Sequence, residues 1–172
     1  MEKGAENAPL NLLLFTNHSC TYCQTFNATH SPRLQQEFID RGLVKYQVAT
    51  LPLQKYPSSE LEASALLCAA KQQKGFAMHD LLFRLEKRDR NDVMGAANLL
   101  ELDAKIFGDC LDSLGTKLLL EKQQQIASDL GITLVPTLIL NTFDKLGADS
   151  EKFSGLLPYA DLRGWINETL SK

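Results

Sequence analysis

Asn17-His18-Ser19-Cys20-Thr21-Tyr22-Cys23-Gln24-Thr25-Phe26, residues 17–26, is the stretch whose reading decides the fold. Two cysteines separated by two residues close a small disulfide ring. Where a helix begins at them, the first thiol sits among unpaired backbone N–H groups at the positive end of the helix dipole. That placement lowers its pKa, and the thiolate is the attacking form. Immediately upstream, Leu10–Thr16 is a short apolar run closed by polar residues, the pattern of a buried strand. Strand, cysteine pair and helix start together are the context that makes the motif informative. Cys20 is therefore the candidate nucleophile, and Cys23, one turn inward, the resolving thiol. Two other readings are weaker. Half a zinc site wants a second cysteine pair or a histidine pair, whereas Cys68 and Cys110 stand singly and far away. A purely structural bridge over so short a loop constrains the unfolded chain little. No metal and no cofactor are expected.

Downstream, Ser31-Pro32-Arg33 reads as a second helix start with Ser31 as N-cap and Pro32 at the first helical position. Leu34 and Phe38 share a face, and Gly42 suits a left-handed stop. Residues 43–48 alternate as a strand, closed off by Pro52 and Pro57. Ser59-Glu60-Leu61-Glu62 has the form of a capping box, opening a helix expected to run to Lys74 and stop at Gly75. Further helices are predicted at 76–85, 93–100, 103–111 and 117–130, the last stopping at Gly131. Strand character returns over 135–140, with a hairpin turn at 141–147, a partner strand at 152–153 and an amphipathic helix over 158–170. The order β-α-β, helical block, β-β-α is that of an α/β domain, residues 1–57 and 132–172, split by an all-helical insertion, 58–131. Pro136 is out of place in a core strand. A cis Val135–Pro136 bond at the strand's start and an ordinary trans proline at an edge both fit.

The chain has 172 residues, 44% hydrophobic and 23% charged, enough to bury a core without staples. A net charge of −3 with no basic stripe argues against a nucleic-acid partner. No apolar run approaches the ~20 residues of a spanning helix. Residues 1–7 lack the hydrophobic region of a signal peptide. A cytoplasmic protein and a mature form without its leader both satisfy this.

The motifs also occur in a known order. Residues 17–26, the segment 68–83 (Cys-Ala-Ala-Lys-Gln-Gln-Lys-Gly-Phe-Ala-Met-His-Asp-Leu-Leu-Phe), Phe107-Gly108-Asp109-Cys110-Leu111 and Gly131-Ile132-Thr133-Leu134-Val135-Pro136-Thr137 resemble the DsbA-like disulfide oxidoreductases, and particularly their BdbD-like branch. The resemblance runs over residues 10–170. It implies a thioredoxin fold with an inserted helical subdomain and a cis-proline loop beside the cysteine pair. It also implies action on protein thiols outside the cytoplasm, in the bacterial periplasm or cell envelope. Carried over, Cys20 is an exposed nucleophile, Cys23 the resolving cysteine and Pro136 the cis-proline. Val135 offers its backbone to an extended substrate chain. Thr21 and Tyr22, between the cysteines, tune thiolate stability and meet substrate.

Two positions depart from the family pattern. Relatives often carry a buried acid six residues before the first cysteine, where this chain has Leu14. Lys45 matches the lysine that pairs with that acid, and so is expected to have lost its partner. The implied activity is oxidation of folding, reduced protein substrates by a monomer, with a quinone-linked membrane partner of the DsbB type as reoxidant. A reductase or isomerase of the same fold, and a peptide-binding module with vestigial redox chemistry, are the alternatives. His18 either steadies the thiolate as a cation or simply belongs to the strand-to-helix turn. His30 and His79 read as structural or solvated. Cys68 and Cys110 form either a second, structural disulfide, favoured outside the cytoplasm, or two buried thiols.

Overall fold

The computed structural model describes residues 1–142 and 151–171, so most of the turn expected at 141–147 lies outside the described residues. The chain divides into two compact units. One comprises Glu2–Thr16, Cys20–Ala49 and Ser128–Lys172, and the other Met1, Asn17–Ser19 and Thr50–Ala127.

The first unit is built on a five-stranded sheet. Its strands are β1 (Glu2–Lys3), β2 (Leu10–Thr16), β3 (Val44–Thr50), β4 (Thr137–Thr142) and β5 (Glu151–Ser154), in the order β1-β3-β2-β4-β5. β2 and β4 run antiparallel with Leu12 opposite Leu140, Leu14 opposite Leu138 and Phe15 opposite Thr137. Both are buried almost throughout, which is why they read as unbroken apolar runs instead of alternating ones. β3 does alternate, sending Val44, Tyr46 and Val48 into the core. The two-residue β1 has no sequence signal; it pairs antiparallel with β3, Glu2 against Gln47.

Helix α1 (Thr21–Thr29) leads into α2 (Ser31–Leu34) and a π-helical turn, Gln35–Ile39. Ser31 is not an N-cap, contrary to expectation. His30 keeps helical dihedrals, its N–H bonds Phe26 O, and its ring reaches Leu157 O at 2.8 Å. The helical path is therefore carried through, and Pro32 falls in the first turn of α2, where its missing N–H is harmless. Gly42 and Gly131 do take the left-handed conformation, at φ +69° and +65°.

The second unit is helical: α3 (Ser59–Lys71), α4 (Gly75–Leu82), α5 (Arg90–Leu99), α6 (Ala104–Leu111) and α7 (Leu114–Asp129) as far as Ala127. Leu66, Ala69, Met78, Leu82, Val93 and Phe107 form its core. Three expectations are corrected here. The 59–62 capping box does not form, because α3 is entered from Ser58 and both side chains are engaged elsewhere. Gly75 opens α4 instead of stopping α3. Gln73 supplies the left-handed turn at φ +62°, and a Cβ on Gly75 would stand 3.0 Å from Ala70 Cβ, so it is small because α3 and α4 approach closely. The capping box lies instead at Asp89 and Asp92, ahead of α5, while Asp103 caps α6. At the chain's end, Pro158 precedes α8 (Tyr159–Leu170) in the sheet unit.

Cys68 and Cys110 are bridged, tying α3 to α6 across a sequence separation of 42. Closing a loop of that length removes about 4 kcal/mol of freedom from the unfolded chain in the chain-entropy model. The double substitution Cys68→Ala/Cys110→Ala is expected to lower unfolding free energy by about 2–4 kcal/mol in urea titrations. Alkylation of the native oxidised protein should label neither position.

Candidate active site

Cys20 is the N-cap of α1, with extended dihedrals, and its sulfur accepts the Cys23 N–H at 3.4 Å. The helix begins here because the chain leaves β2 through three polar residues and then meets Thr21-Tyr22-Cys23, none of which obstructs a helical turn. A thiolate at this position faces the dipole and a backbone donor together. The Cys20 thiol also donates to Val135 O, 3.6 Å away. Cys20 is 6% exposed and Cys23 1%. Expected as an exposed nucleophile, Cys20 is instead a buried residue whose thiol lies against the Val135 carbonyl. Thr21 and Tyr22 are the exposed pair between the cysteines, Tyr22 at 64%.

The Val135–Pro136 bond is cis. The loop that carries it is held from below: Gly155 N–H bonds Pro136 O at 2.7 Å, and Thr137 Oγ1 bonds Leu134 O at 2.8 Å and Ser154 Oγ at 2.9 Å. Pro136 is buried, Val135 half-buried, and the Leu134 side chain 61% exposed. The structure thus brings Cys20 to the Val135 carbonyl, as sequence order alone does not.

Leu14 lies in β2, 2% exposed. With Leu14 in place of an acid, Lys45 Nζ pairs instead with Glu2 Oε1 at 3.0 Å. That partner comes from β1, the strand without a sequence signal. Gln47 and then Lys45, both bonded to the Glu2 carboxylate, hold its pKa below the usual range.

His18, expected either to steady the thiolate or to belong to the strand-to-helix turn, is hydrogen-bonded within the helical unit. It is buried in the helical unit, its Nε2 is 2.9 Å from His79 Nδ1, and Phe83 packs on its ring. Desolvation, and then the neighbouring His79 and Arg88 charges, hold its pKa well below the ordinary value of 6.5. His79 and His30 are buried and hydrogen-bonded. Among the described residues, no group of three or more His, Cys, Asp or Glu gathers closely enough to hold a metal.

Sequence reasoning passed over Asn17, Ser19, Glu62 and Arg88. Asn17 Nδ2 donates to Leu51 O at 2.9 Å and to Ser59 Oγ at 2.5 Å. Ser19 Oγ donates to Glu62 Oε1 at 2.7 Å, and Arg88 Nε lies 3.5 Å from the same oxygen. The overlooked signal was Glu62 itself, an acid in register with Ala65, Leu66 and Ala69 on the apolar stripe of α3.

The sheet unit, the helical unit and a Cys-X-X-Cys pair whose first cysteine caps α1 are those of a protein of the thioredoxin class, with a cysteine pair suited to redox chemistry. The thioredoxin family model matches residues 1–168, and the chain belongs to that family. It is similar to a probable disulfide bond formation protein D of Bacillus cereus, 26% identical over 148 residues that span 80% of this chain and 68% of that one. Among solved structures, alpha-DsbA1 of Wolbachia pipientis superposes with a TM-score of 0.87 at 19% identity, covering 99% of this chain and 90% of that one. BdbD of Bacillus subtilis, in its oxidised form, gives 0.85 at 20% identity, with 99% and 92% covered.

The burial that depresses the His18 pKa has a consequence for stability. Its folded pKa lies below its unfolded value, so the unfolded chain binds the extra proton first. Its contribution is fully present above the unfolded pKa of about 6.5 and is lost as pH falls towards the folded one. Unfolding free energy measured by urea titration should therefore decline with acidification below that value. His18→Phe should show a flatter decline.

Proposed function

We propose that the chain is a dithiol oxidase that passes a Cys20–Cys23 disulfide to reduced, folding proteins outside the cytoplasm. The observation that carries this is Cys20 at the N-cap of α1, its sulfur accepting the Cys23 N–H. Whatever stabilises the Cys20 thiolate favours the reduced enzyme, and so makes the disulfide the stronger oxidant.

The chemistry runs in two exchanges. A substrate thiolate attacks Cys20 Sγ, the Cys20–Cys23 bond breaks, and Cys23 leaves as a thiolate and takes up a proton. A second substrate thiolate then attacks the substrate sulfur of the mixed disulfide and expels the Cys20 thiolate. The substrate has lost two electrons and the enzyme holds them as a dithiol. Reoxidation falls to a membrane quinone-linked partner of the DsbB type, by analogy.

An extended substrate segment would lie along Leu134, Val135 and Pro136, beside the exposed Thr21 and Tyr22. Its backbone would compete with the Cys20 thiol for the Val135 carbonyl. The helical segment 58–131 would serve as an insertion in a domain formed by 1–57 and 132–172, acting as a monomer. Residence outside the cytoplasm is supported by the Cys68–Cys110 bridge, since such disulfides persist in oxidising compartments. Among the described residues no helix is long and apolar enough to cross a membrane.

The test is equilibration against glutathione buffers with quantification of thiols. A potential above about −200 mV, more oxidising than the glutathione pool, is expected. A value near −270 mV, that of thioredoxin, would replace the oxidase reading with a reductase. Cys20→Ser should abolish oxidation of a reduced model substrate, and persistence of the activity would show that the pair does not carry it.

A further inference from the structure

The three residues before Cys20 share one property. Every side chain of Asn17-His18-Ser19 is hydrogen-bonded within the helical unit: Asn17 to Leu51 and Ser59, His18 to His79, Ser19 to Glu62. The tripeptide itself belongs to that unit, while the residues on either side of it belong to the sheet unit. The residue next to the reactive cysteine is thus tethered by a carboxylate 43 positions away in sequence.

That carboxylate is unusual. The Glu62 side chain is 1% exposed. Its Oε1 accepts Ser19 Oγ at 2.7 Å and Ser58 Oγ at 2.8 Å, with Arg88 Nε at 3.5 Å. Its Oε2 is buried with no hydrogen-bond partner. An apolar residue there would continue the stripe of Ala65, Leu66 and Ala69 without desolvating a charge. A buried acid with one oxygen unsatisfied is a poor choice for stability alone. Its place in the first turn of α3 only partly offsets that cost.

We infer that Glu62, braced by Arg88, is a positioning residue for thiol–disulfide exchange, acting on Cys20 through Ser19. Ser19 is the last residue before the N-cap, so its orientation sets the Cys20 backbone and with it the aim of Sγ at the Cys23 N–H. Holding Ser19 Oγ keeps that alignment and favours the thiolate. The inference rests on Cys20 being the nucleophile.

The test titrates the Cys20 thiol of the reduced full-length protein by thiolate ultraviolet absorbance, with Cys23→Ala as common background. Ser19→Ala removes one hydroxyl and no charge, so it keeps the fold even where Glu62→Ala does not. Ser19→Ala and Glu62→Ala should each raise the Cys20 pKa by about one unit. Glu62→Gln, which retains an acceptor for Ser19, should restore the parent value. A parent-like pKa in Ser19→Ala overturns the inference. So does a shift in Glu62→Gln as large as in Glu62→Ala, which would assign the effect to charge and not to the hydrogen bond. A parent Cys20 that titrates at the ordinary thiol value overturns the nucleophile reading as well.

Discussion

The register of β2 on β4 is the constraint on which the site depends. With Phe15 opposite Thr137, the end of β2 and the start of β4 lie side by side. Cys20 follows the first a few residues later, and Val135–Pro136 immediately precedes the second. A slip of one residue would turn every β2 side chain to the other face, and a slip of two would move the proline loop by roughly 7 Å along the strand. Because both strands are buried nearly throughout, neither slip leaves the core intact. The 3.6 Å contact between Cys20 Sγ and Val135 O is therefore a by-product of ordinary sheet packing.

A buried strand followed by a polar turn creates an obligation, since polar groups removed from water need partners. Asn17 and His18 are 2% exposed, and both find partners in the helical unit. The helical unit, to which Asn17–Ser19 belong, thus supplies the hydrogen-bond partners of these buried polar side chains. It also carries its own constraint in the Cys68–Cys110 bridge, which acts on the unfolded chain, while Cys20 and Cys23 are not part of that bridge.

Local chemistry was legible wherever the causing residues are neighbours in sequence. The buried run 10–16, the cysteine pair at a helix start and the left-handed glycines at 42 and 131 all behave as their residue types dictate. Misreadings arose where a motif of the right form had its atoms claimed from a distance. Ser59 and Glu62 match a capping box, yet Asn17 engages the serine and Ser19 the glutamate. Ser31-Pro32 matches a helix start, yet His30 is anchored to Leu157 and carries the helix through. Lys45 looked stranded because its partner lies on a two-residue strand too short to have a pattern.

By itself, then, the sequence determined the kind of chemistry: two thiols spaced for exchange and placed where a helix dipole favours the thiolate. It also determined the α/β order with a helical interruption, because hydrophobic periodicity and turn residues act over a few positions. The tertiary structure decided which acid meets Ser19, which carbonyl meets Cys20 and which histidine meets His18. Glu62 reaches Ser19 across 43 positions, Val135 reaches Cys20 across 115, and His79 reaches His18 across 61. Separations of that length leave no trace in local patterning, because what selects the partner is burial and hydrogen-bond geometry in the folded chain.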